Sequence, residues 1–294
     1  MKRLSMVRKK YGIQTCPNLE CALKHDFGAA LVCTPTSTHI PIALKVLKHG
    51  THLFIEKPIS HNLKGVDELI EHARKRKLVV YVGYNLRFHA GLMLVKKMLT
   101  RGEIGEVLSA RAEFGQYLPD WRPWQDYRRS YSARRRLGGG IILEASHELD
   151  YLRWLLGEVE EVSCIAGKLS HLEVDIEDNA EILLKFRSGA IAGVHIDFTR
   201  RDFSRNCEIR GEEGSIIWNY PDRFVKAYSA RSKRWRTFNV GGERNEMYVR
   251  EMRHFLRCVR GKEKPLVDEV DGKKALEIVL AAKKSAKTGR KVRL

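Results

Sequence analysis

The sequence predicts an α/β protein in which a small parallel-sheet domain precedes a larger α/β domain with an open, mainly antiparallel sheet. Two patterns support this fold class. Over residues 1–83 short apolar runs alternate with amphipathic segments, whereas beyond residue 84 strand-like runs follow one another across hairpin-like turns. The length of 294 residues also exceeds the usual size of one hydrophobic core. We therefore expect two domains, residues 1–83 and 84–294.

The first domain is predicted to alternate strands with helices. Its strands are expected at 29–33, 51–55 and 78–82, and its helices at 39–49 and 63–76. Repeated strand–helix–strand units form right-handed crossovers and a parallel sheet. Ligands bind at the carboxyl ends of such strands. In this chain those ends carry Thr34-Pro35, Glu56-Lys57-Pro58 and Gly83-Tyr84-Asn85.

The second domain mixes helices with consecutive strands. Helices are predicted at 89–100, 141–156, 246–259 and 272–288, and strands at 108–114, 161–165, 179–186, 190–198, 206–210 and 215–218. Turns at 187–189 and 211–214 predict antiparallel hairpins. The polar and aromatic segment 116–137 is predicted to be a loop.

Composition indicates a soluble globular protein. With 43% hydrophobic and 31% charged residues, the chain has enough apolar side chains to form a core. No apolar run reaches the roughly 18 residues that a membrane-spanning helix needs, and the basic start lacks the apolar segment of a signal peptide. We therefore expect a cytoplasmic protein without a membrane partner. The six cysteines lack Cys-x-x-Cys spacing, so they indicate neither a zinc site nor a disulfide framework.

The formal charge of +18 leaves three interpretations open. Basic runs at 74–77 and 134–136 are typical of solvated faces and loops. A positive cleft would instead attract anionic substrates or cofactors. Nucleic-acid binding is the least favoured interpretation because no recognised module is present. We expect no nucleic-acid partner.

Several motifs occur in a fixed order along the chain. They are Cys33-Thr34-Pro35-Thr36-Ser37-Thr38-His39, Glu56-Lys57-Pro58, Gly83-Tyr84-Asn85-Leu86-Arg87-Phe88, Gly102-Glu103-Ile104-Gly105, the segment 138–147 and Gly211-Glu212-Glu213-Gly214. The ordered set resembles the glucose–fructose oxidoreductase, inositol dehydrogenase and MocA (Gfo/Idh/MocA) family. The resemblance implies an NAD- or NADP-dependent oxidoreductase that transfers hydride between nicotinamide and a hydroxyl or keto group of a sugar or sugar derivative.

The nucleotide-binding domain of this family normally opens with a strand, a Gly-x-Gly-x-x-Gly turn, a helix and a second strand. We do not find this pattern, so we expect an incomplete Rossmann-type sheet that lacks the N-terminal Gly-rich βαβ unit. Three explanations remain open: a truncated or mis-started chain, a sheet completed in another way, and a degenerate relative that no longer binds nucleotide.

The resemblance implies three catalytic residues. Lys57 ends a strand, where its ammonium would stabilise negative charge developing on the substrate oxygen. His147 resembles the family histidine that takes the hydroxyl proton, and Glu144 precedes it by three residues on the same predicted helix face. Glu148 or Asp150 are alternatives to Glu144, and a purely structural histidine–carboxylate pair is the simpler interpretation. A metal site is not expected, because a second histidine is absent from this group.

The resemblance also implies the residues that border the cofactor. They are Thr34, Pro35, Ser37, His39, Glu56, Lys57 and Pro58. The simpler interpretation of residues 34–39 is a strand-to-helix connection, with Thr36 or Ser37 near the helix N-cap.

Five further residues are candidates for substrate binding: Arg87, Trp124, Tyr127, Arg128 and Glu148. Aromatic rings stack on sugars, and arginine binds hydroxyls or carboxylates, so the substrate is expected to be sugar-like and could be anionic. The stretch 117–128, together with Ser146-His147-Glu148, resembles the branch of the family associated with surface-polysaccharide sugars. A structural loop or an oligomer contact is the alternative for this segment.

The sequence also bears on the oligomeric state and on whether the protein is an enzyme. The exposed face of the large sheet predicts a homo-oligomer, either a dimer or a tetramer. A non-catalytic sugar-binding or assembly protein that has lost nucleotide binding is the alternative to an enzyme.

Overall fold

The computed structural model of the protein describes residues 2–243 and 245–294. The helices are α1 Lys2–Tyr11, α2 Leu19–Ala22, α3 His39–Lys48, α4 Val66–Arg76, α5 Ala90–Thr100, α6 Ile141–Glu144, α7 Ser146–Leu156, α8 Glu246–Val259 and α9 Glu269–Thr288. The strands are β1 Ala29–Val32, β2 His52–Glu56, β3 Val80–Gly83, β4 Val107–Gly115, β5 Val159–Gly167, β6 Asn179–Phe186, β7 Ile191–Asp197, β8 Ser204–Gly211, β9 Gly214–Asn219, β10 Phe224–Ser229, β11 Arg234–Asn239 and β12 Val292–Arg293.

The small sheet has the order β1-β2-β3, and both pairings are parallel. Its central strand is apolar and buried because α3 and α4 connect the strands while α9 packs against β3. Glu56 at the end of β2 pairs in register with Gly83 at the end of β3. The parallel sheet and its helical connections are therefore as predicted, and the strand ends that carry the polar motifs lie side by side.

The large sheet has the order β11-β10-β9-β8-β4-β7-β6-β5-β12 within the described part of the chain. Of its pairings only β4 with β7 is parallel, so the predicted mainly antiparallel sheet is confirmed. Strand β6 alternates buried and exposed residues along its length. This period of two is expected where one face of the sheet packs against helices and the other face stays open; here α6 contacts β6, α7 contacts β4 and α9 contacts β5.

Two parts of this architecture differ from the sequence prediction. The hairpin β10–β11 was not expected, because β11 is a basic edge strand whose side chains are mostly exposed and carry little apolar alternation. The predicted helix 141–156 is broken at Ala145, whose φ of −87° and ψ of 23° leave the helical region, so α6 and α7 are separate. Neither glycine nor proline stands at this position to signal the break.

Within the described residues no helix is long and apolar enough to cross a bilayer.

Candidate active site

A deep cleft opens at the carboxyl ends of the small sheet, between that sheet and the large one. It consists of two adjoining cavities of about 390 and 330 Å³. Both are lined by Lys57, Asn85, Trp121, Glu144, His147 and Tyr248. The first cavity extends over the ends of β1 and β2, and the second extends along the face of β4 and β8. Strand ends of a parallel sheet therefore meet the second sheet in one continuous site.

Lys57 follows β2 directly and reaches across the cleft to Glu144. Its Nζ donates a hydrogen bond to the Glu144 backbone oxygen at 2.9 Å and lies 3.4 Å from Glu144 Oε2. Burial is the largest single effect and opposes the charge of Lys57, but Glu144, Tyr131 and Glu56 together outweigh it, so the pKa of the ammonium lies above its usual value. Lys57 is thus held as a cation at a fixed position.

Glu144 is the centre of a small polar network. Ser132 Oγ donates to Glu144 Oε1 at 3.2 Å, and Tyr131 Oη donates to Oε2 at 3.5 Å. The nearby Glu144 carboxylate, followed by burial, raises the pKa of the Tyr131 hydroxyl. Tyr131 and Ser132 come from the segment 116–137. That loop therefore contributes to the site by holding the carboxylate that holds Lys57.

His147 lies in the first turn of α7 and lines both cavities. Its Nδ1 is buried without a hydrogen-bond partner among the described residues, and the Tyr84 ring packs edge-on at 5.6 Å between centroids. Burial, followed by the charges of Lys57 and Arg205, puts the pKa of His147 well below its usual value. The imidazole is therefore neutral at physiological pH and available to accept a proton.

The predicted pairing between Glu144 and His147 is not formed. The prediction assumed one continuous helix, in which residues three apart share a face. The break at Ala145 separates the two residues into α6 and α7. Glu144 bonds to Lys57, Tyr131 and Ser132 instead, which leaves His147 without a carboxylate partner.

Thr34, His39, Glu56 and Lys57 line the cleft, whereas Pro35, Ser37 and Pro58 are not among the described residues that line it. His39 connects the two strand ends, with Nδ1 3.0 Å from the Pro58 oxygen and Nε2 2.8 Å from the Thr34 oxygen. Burial lowers the pKa of His39 despite these two acceptors, so the neutral ring donates to one of them at a time. The N-cap of α3 is Thr38, which makes no side-chain capping bond, and Thr36 and Ser37 lie near it as expected.

The cleft fits the nicotinamide half of a dinucleotide. Asn85 Oδ1 is a buried acceptor without a partner among the described residues, and it lies at the end of β3 beside Lys57. A ribose hydroxyl or a carboxamide N–H is the type of donor that would satisfy it. Gly83 leaves little room for a side chain, since an added Cβ would lie 3.0 Å from the Phe54 ring and 3.4 Å from Glu56.

Arg87, predicted to bind substrate, is a structural residue in the described fold. Its guanidinium donates to Asp150 through Nε and Nη2 at 2.9 and 2.7 Å, and to the Leu266 oxygen at 3.0 Å. A further bond of 3.3 Å runs to Asp271. These bonds use four of the five N–H groups of a side chain that is 3% exposed, so Arg87 is not open to a ligand.

The other predicted substrate residues also lie outside the cleft. Trp124 is 80% exposed at the surface. Arg128 pairs with Asp126 and Glu173, and the Tyr127 hydroxyl accepts the Glu173 backbone N–H. Glu148 is fully buried beneath the cleft, beside Arg205. The reason is that the segment 116–137 turns its 3-10 helices so that Trp121 and Tyr131, rather than residues 124–128, face the site.

Several residues of the site were not predicted. They are Trp121, Arg122, Tyr131, Ser132, Arg205 and Tyr248. Trp121 lies in the aromatic stretch 117–128 that was singled out, and Tyr131 lies in the same predicted loop beyond it, but their orientation depends on how the loop folds. Arg205 and Tyr248 belong to β8 and α8, where nothing in the local sequence distinguishes them from surface residues. The spacing of the cysteines did not indicate a further group, in which Cys16, Cys21 and His25 place potential metal-ligand atoms within 4.8 Å of one another.

Two family models match the chain. The "Oxidoreductase family, NAD-binding Rossmann fold" matches residues 1–84, and the "Oxidoreductase family, C-terminal alpha/beta domain" matches residues 96–294. The expectation that the chain lacks the N-terminal unit of the nucleotide-binding domain is not borne out, because the Rossmann model matches from residue 1.

Curated relatives match over nearly the whole chain. A myo-inositol 2-dehydrogenase of Thermotoga maritima is 33% identical over 307 residues, covering 99% of this chain and 88% of the relative. A scyllo-inositol 2-dehydrogenase (NAD(+)) of Bacillus subtilis is 27% identical, covering 99% of this chain and 85% of the relative.

Solved structures share the fold. A levoglucosan dehydrogenase in complex with NADH and levoglucosan superimposes with a TM-score of 0.91 at 21% identity, covering 100% of this chain and 88% of the other. An oxidoreductase domain protein from Kribbella flavida gives 0.90 at 20% identity, covering 99% and 87%. The family models and the inositol dehydrogenases confirm the resemblance, the fold class, an oxidoreductase and the cofactor class, NAD or NADP.

Proposed function

The chain belongs to the Gfo/Idh/MocA oxidoreductase family, and we propose that it moves hydride between NAD or NADP and a secondary hydroxyl or keto carbon of a sugar or cyclic polyol. The observation that carries the proposal is the convergence of Lys57, Glu144 and His147 in one cleft at the strand ends. The names of the relatives agree with this substrate class, since they include two inositol dehydrogenases and a levoglucosan dehydrogenase.

Lys57 is the residue that we assign to the reacting oxygen. Its cationic Nζ is fixed by the Glu144 backbone oxygen and carboxylate, so it needs no reorganisation when negative charge develops. A preorganised donor of this kind contributes about 100- to 1,000-fold to rate. Glu144, Tyr131 and Ser132 position Lys57 and do not themselves need to contact the substrate.

His147 is the residue that we assign to proton transfer. It is neutral, it lines the cleft beside Lys57, and no carboxylate of the described residues occupies its Nδ1. In the direction of oxidation it takes the hydroxyl proton, and in the direction of reduction its protonated form returns it. Bound nicotinamide supplies the hydride acceptor or donor. Asn85, Thr34 and Glu56 are the residues present to orient it.

The proposed activity is tested by titration with NADH and NADPH, followed by fluorescence, and by turnover of myo-inositol, scyllo-inositol and levoglucosan. We expect binding of one nucleotide and NAD(P)-dependent oxidation of at least one polyol. Lys57→Met should retain nucleotide binding and lose turnover by about 100-fold or more. A well-folded sample that binds neither nucleotide contradicts the proposal and favours the non-catalytic sugar-binding alternative.

We propose in addition that the open face of the large sheet joins copies of the chain into a dimer or tetramer. Leu183 and Ile191 are 64% and 59% exposed on neighbouring strands β6 and β7, and Ile165 is 82% exposed on β5. Exposed apolar side chains on neighbouring strands, here interspersed with Glu181 and Lys185, support an interface between proteins. Sedimentation equilibrium gives the mass directly, and a monomer at working concentration excludes this assembly. The link to surface-polysaccharide sugars and the cytoplasmic location remain predictions.

A further inference from the structure

A second cationic group lies in the cleft besides Lys57. Arg205 is the second residue of β8, and it lines the cavity together with Lys57 and His147. Its guanidinium carbon lies 4.2 Å from the centroid of the Phe114 ring. Stacking on an aromatic face fixes the plane of a guanidinium and restricts its rotamers. The side chain is 13% exposed, so the charged fork is largely withdrawn from bulk solvent.

Glu148 contacts only the Nε side of the Arg205 guanidinium group. Its Nε lies 2.9 Å from Oε1 of Glu148, a contact with the distance of an ion pair but without hydrogen-bond alignment. Among residues 2–243 and 245–294, no acceptor is hydrogen-bonded to its two terminal nitrogens. Arg87 differs in this respect, because protein acceptors bond its Nε and both of its terminal nitrogens.

The counter-charge of Arg205 is also incomplete. Glu148 is fully buried, and burial raises the pKa of its carboxyl, an effect that Arg205 only partly offsets. Glu144 cannot serve Arg205 as well, because its carboxylate already accepts from Lys57, Tyr131 and Ser132. His147 carries no compensating negative charge. The cavity therefore contains a fixed, partly desolvated guanidinium with open donors.

We propose that the sugar substrate carries a carboxylate and that Arg205 binds it through its two terminal nitrogens, next to the hydroxyl that faces Lys57 and His147. This inference rests on the proposed oxidoreductase function and narrows its substrate class to sugar acids. A planar fork matches a carboxylate in bidentate geometry better than a hydroxyl. Glu148 positions Arg205 from beneath, which gives the buried Glu148 a role without contact to the substrate.

The test compares matched sugars that differ in the acid group. D-glucuronate is paired with D-glucose and D-galacturonate with D-galactose, with D-glucose 6-phosphate as a separate arm. We expect kcat/KM to favour an acid over its neutral partner by about 10-fold or more, because a charge-assisted hydrogen bond contributes that much. If the phosphate ester exceeds both acids, or if neither acid exceeds its neutral partner, the proposal is overturned.

Substitution assigns the preference to Arg205. Arg205→Met keeps an apolar stem over Phe114, and Glu148→Gln in the same chain avoids leaving a buried carboxylate without its cation. In this double variant the ratio of acid to neutral kcat/KM should fall by about 10- to 100-fold. Arg187→Met, in the exposed hairpin between β6 and β7, is the matched control and should leave the ratio unchanged.

The two proposals fail in different ways. Turnover of a neutral polyol with no preference for acids would uphold the oxidoreductase and overturn the carboxylate site. Calorimetric binding of D-glucuronate that is lost in the double variant, without turnover of any sugar, would uphold the carboxylate site and contradict the oxidoreductase. A preference for acids that survives in the double variant would show that another group recognises the carboxylate.

Discussion

Two groups of buried charged residues lie on either side of α7, and they differ in how completely their members are paired. The junction cluster consists of Arg87, Asp150, Arg153 and Asp271. Arg87 bonds to Asp150 and Asp271, and Arg153 bonds to Asp271 and Glu158. Protein acceptors thus bond all three nitrogens of both guanidinium groups, and the cluster joins α7 to α9 and to the segment after β3.

The cleft cluster consists of Lys57, Glu144, His147, Arg205 and Glu148. Lys57 holds the Glu144 carboxylate, but His147 Nδ1 and both carboxylate oxygens of Glu148 are buried without a hydrogen-bond partner in the described parts of the chain. The terminal nitrogens of Arg205 likewise have no protein acceptor there. Unpaired buried polar groups cost free energy, so they persist where a ligand completes them. The contrast supports the proposal that the cleft cluster binds and transforms a substrate, whereas the junction cluster maintains the fold.

The largest effect is expected from His147→Gln. Loss of a general base lowers kcat/KM by about 100- to 10,000-fold, while the free energy of unfolding should change little, because His147 makes few bonds to protein. Steady-state kinetics and chemical denaturation measure the two quantities. His171→Gln on the surface is the control. Strong destabilisation with retained turnover would place His147 with the junction cluster.

Arg87→Met tests whether the junction cluster stabilises the fold. It leaves Asp150 buried without its cation, and breaking a buried pair in this way costs about 3–5 kcal/mol of the free energy of unfolding. Urea denaturation measures the loss, which Asp150→Asn in the same chain should partly restore. Lys75→Met, which breaks the exposed pair with Glu71, should have almost no effect. If Arg87→Met folds normally and raises only KM, Arg87 belongs to the substrate site after all.

The pH dependence of kcat/KM and of stability tests the surroundings of His147 in the cleft cluster, and the expected effect is smaller than that of the substitutions. Because the pKa of His147 lies well below its usual value, kcat/KM should remain constant as pH falls through about 6.5, where an ordinary imidazole would protonate. The unfolded chain binds that proton near pH 6.5 and the folded chain does not, so stability is full above this pH and declines below it. A pH–rate profile that declines with a midpoint near 6.5 contradicts this account.

The smallest effect is expected from Trp124→Ala. Its exposed side chain lies outside the cleft, so kcat/KM should change by less than about 2-fold and stability by less than about 0.5 kcal/mol. Trp121→Ala is the informative partner, since Trp121 lines the cleft and its Nε1 donates to the Gln116 oxygen at 3.1 Å. We expect it to raise KM. Equal effects of the two substitutions would show that the loop binds substrate through a different face.

Much of the fold could be predicted because its signals are local. Buried apolar runs, helix periodicity and the turns between them set the parallel sheet, and helix α8 begins and ends where the pattern predicts. Strand β11 escaped prediction because an exposed edge strand needs no apolar alternation. The break at Ala145 escaped because it is imposed by packing around residues 141–148, which are buried on all sides.

The sequence by itself determined the order of the motifs, hence the family, and it placed Lys57 at a strand end and His147 on a helix. Only the tertiary structure decided which charged residues are paired with other protein groups and which remain available to a ligand. Lys57 meets Glu144 across 87 residues of chain, and Arg87 meets Asp150 across 63. A local pattern shows that a residue carries a charge. Whether that charge is already satisfied depends on partners brought together from distant segments, because the cost of an unpaired buried group depends on its three-dimensional surroundings.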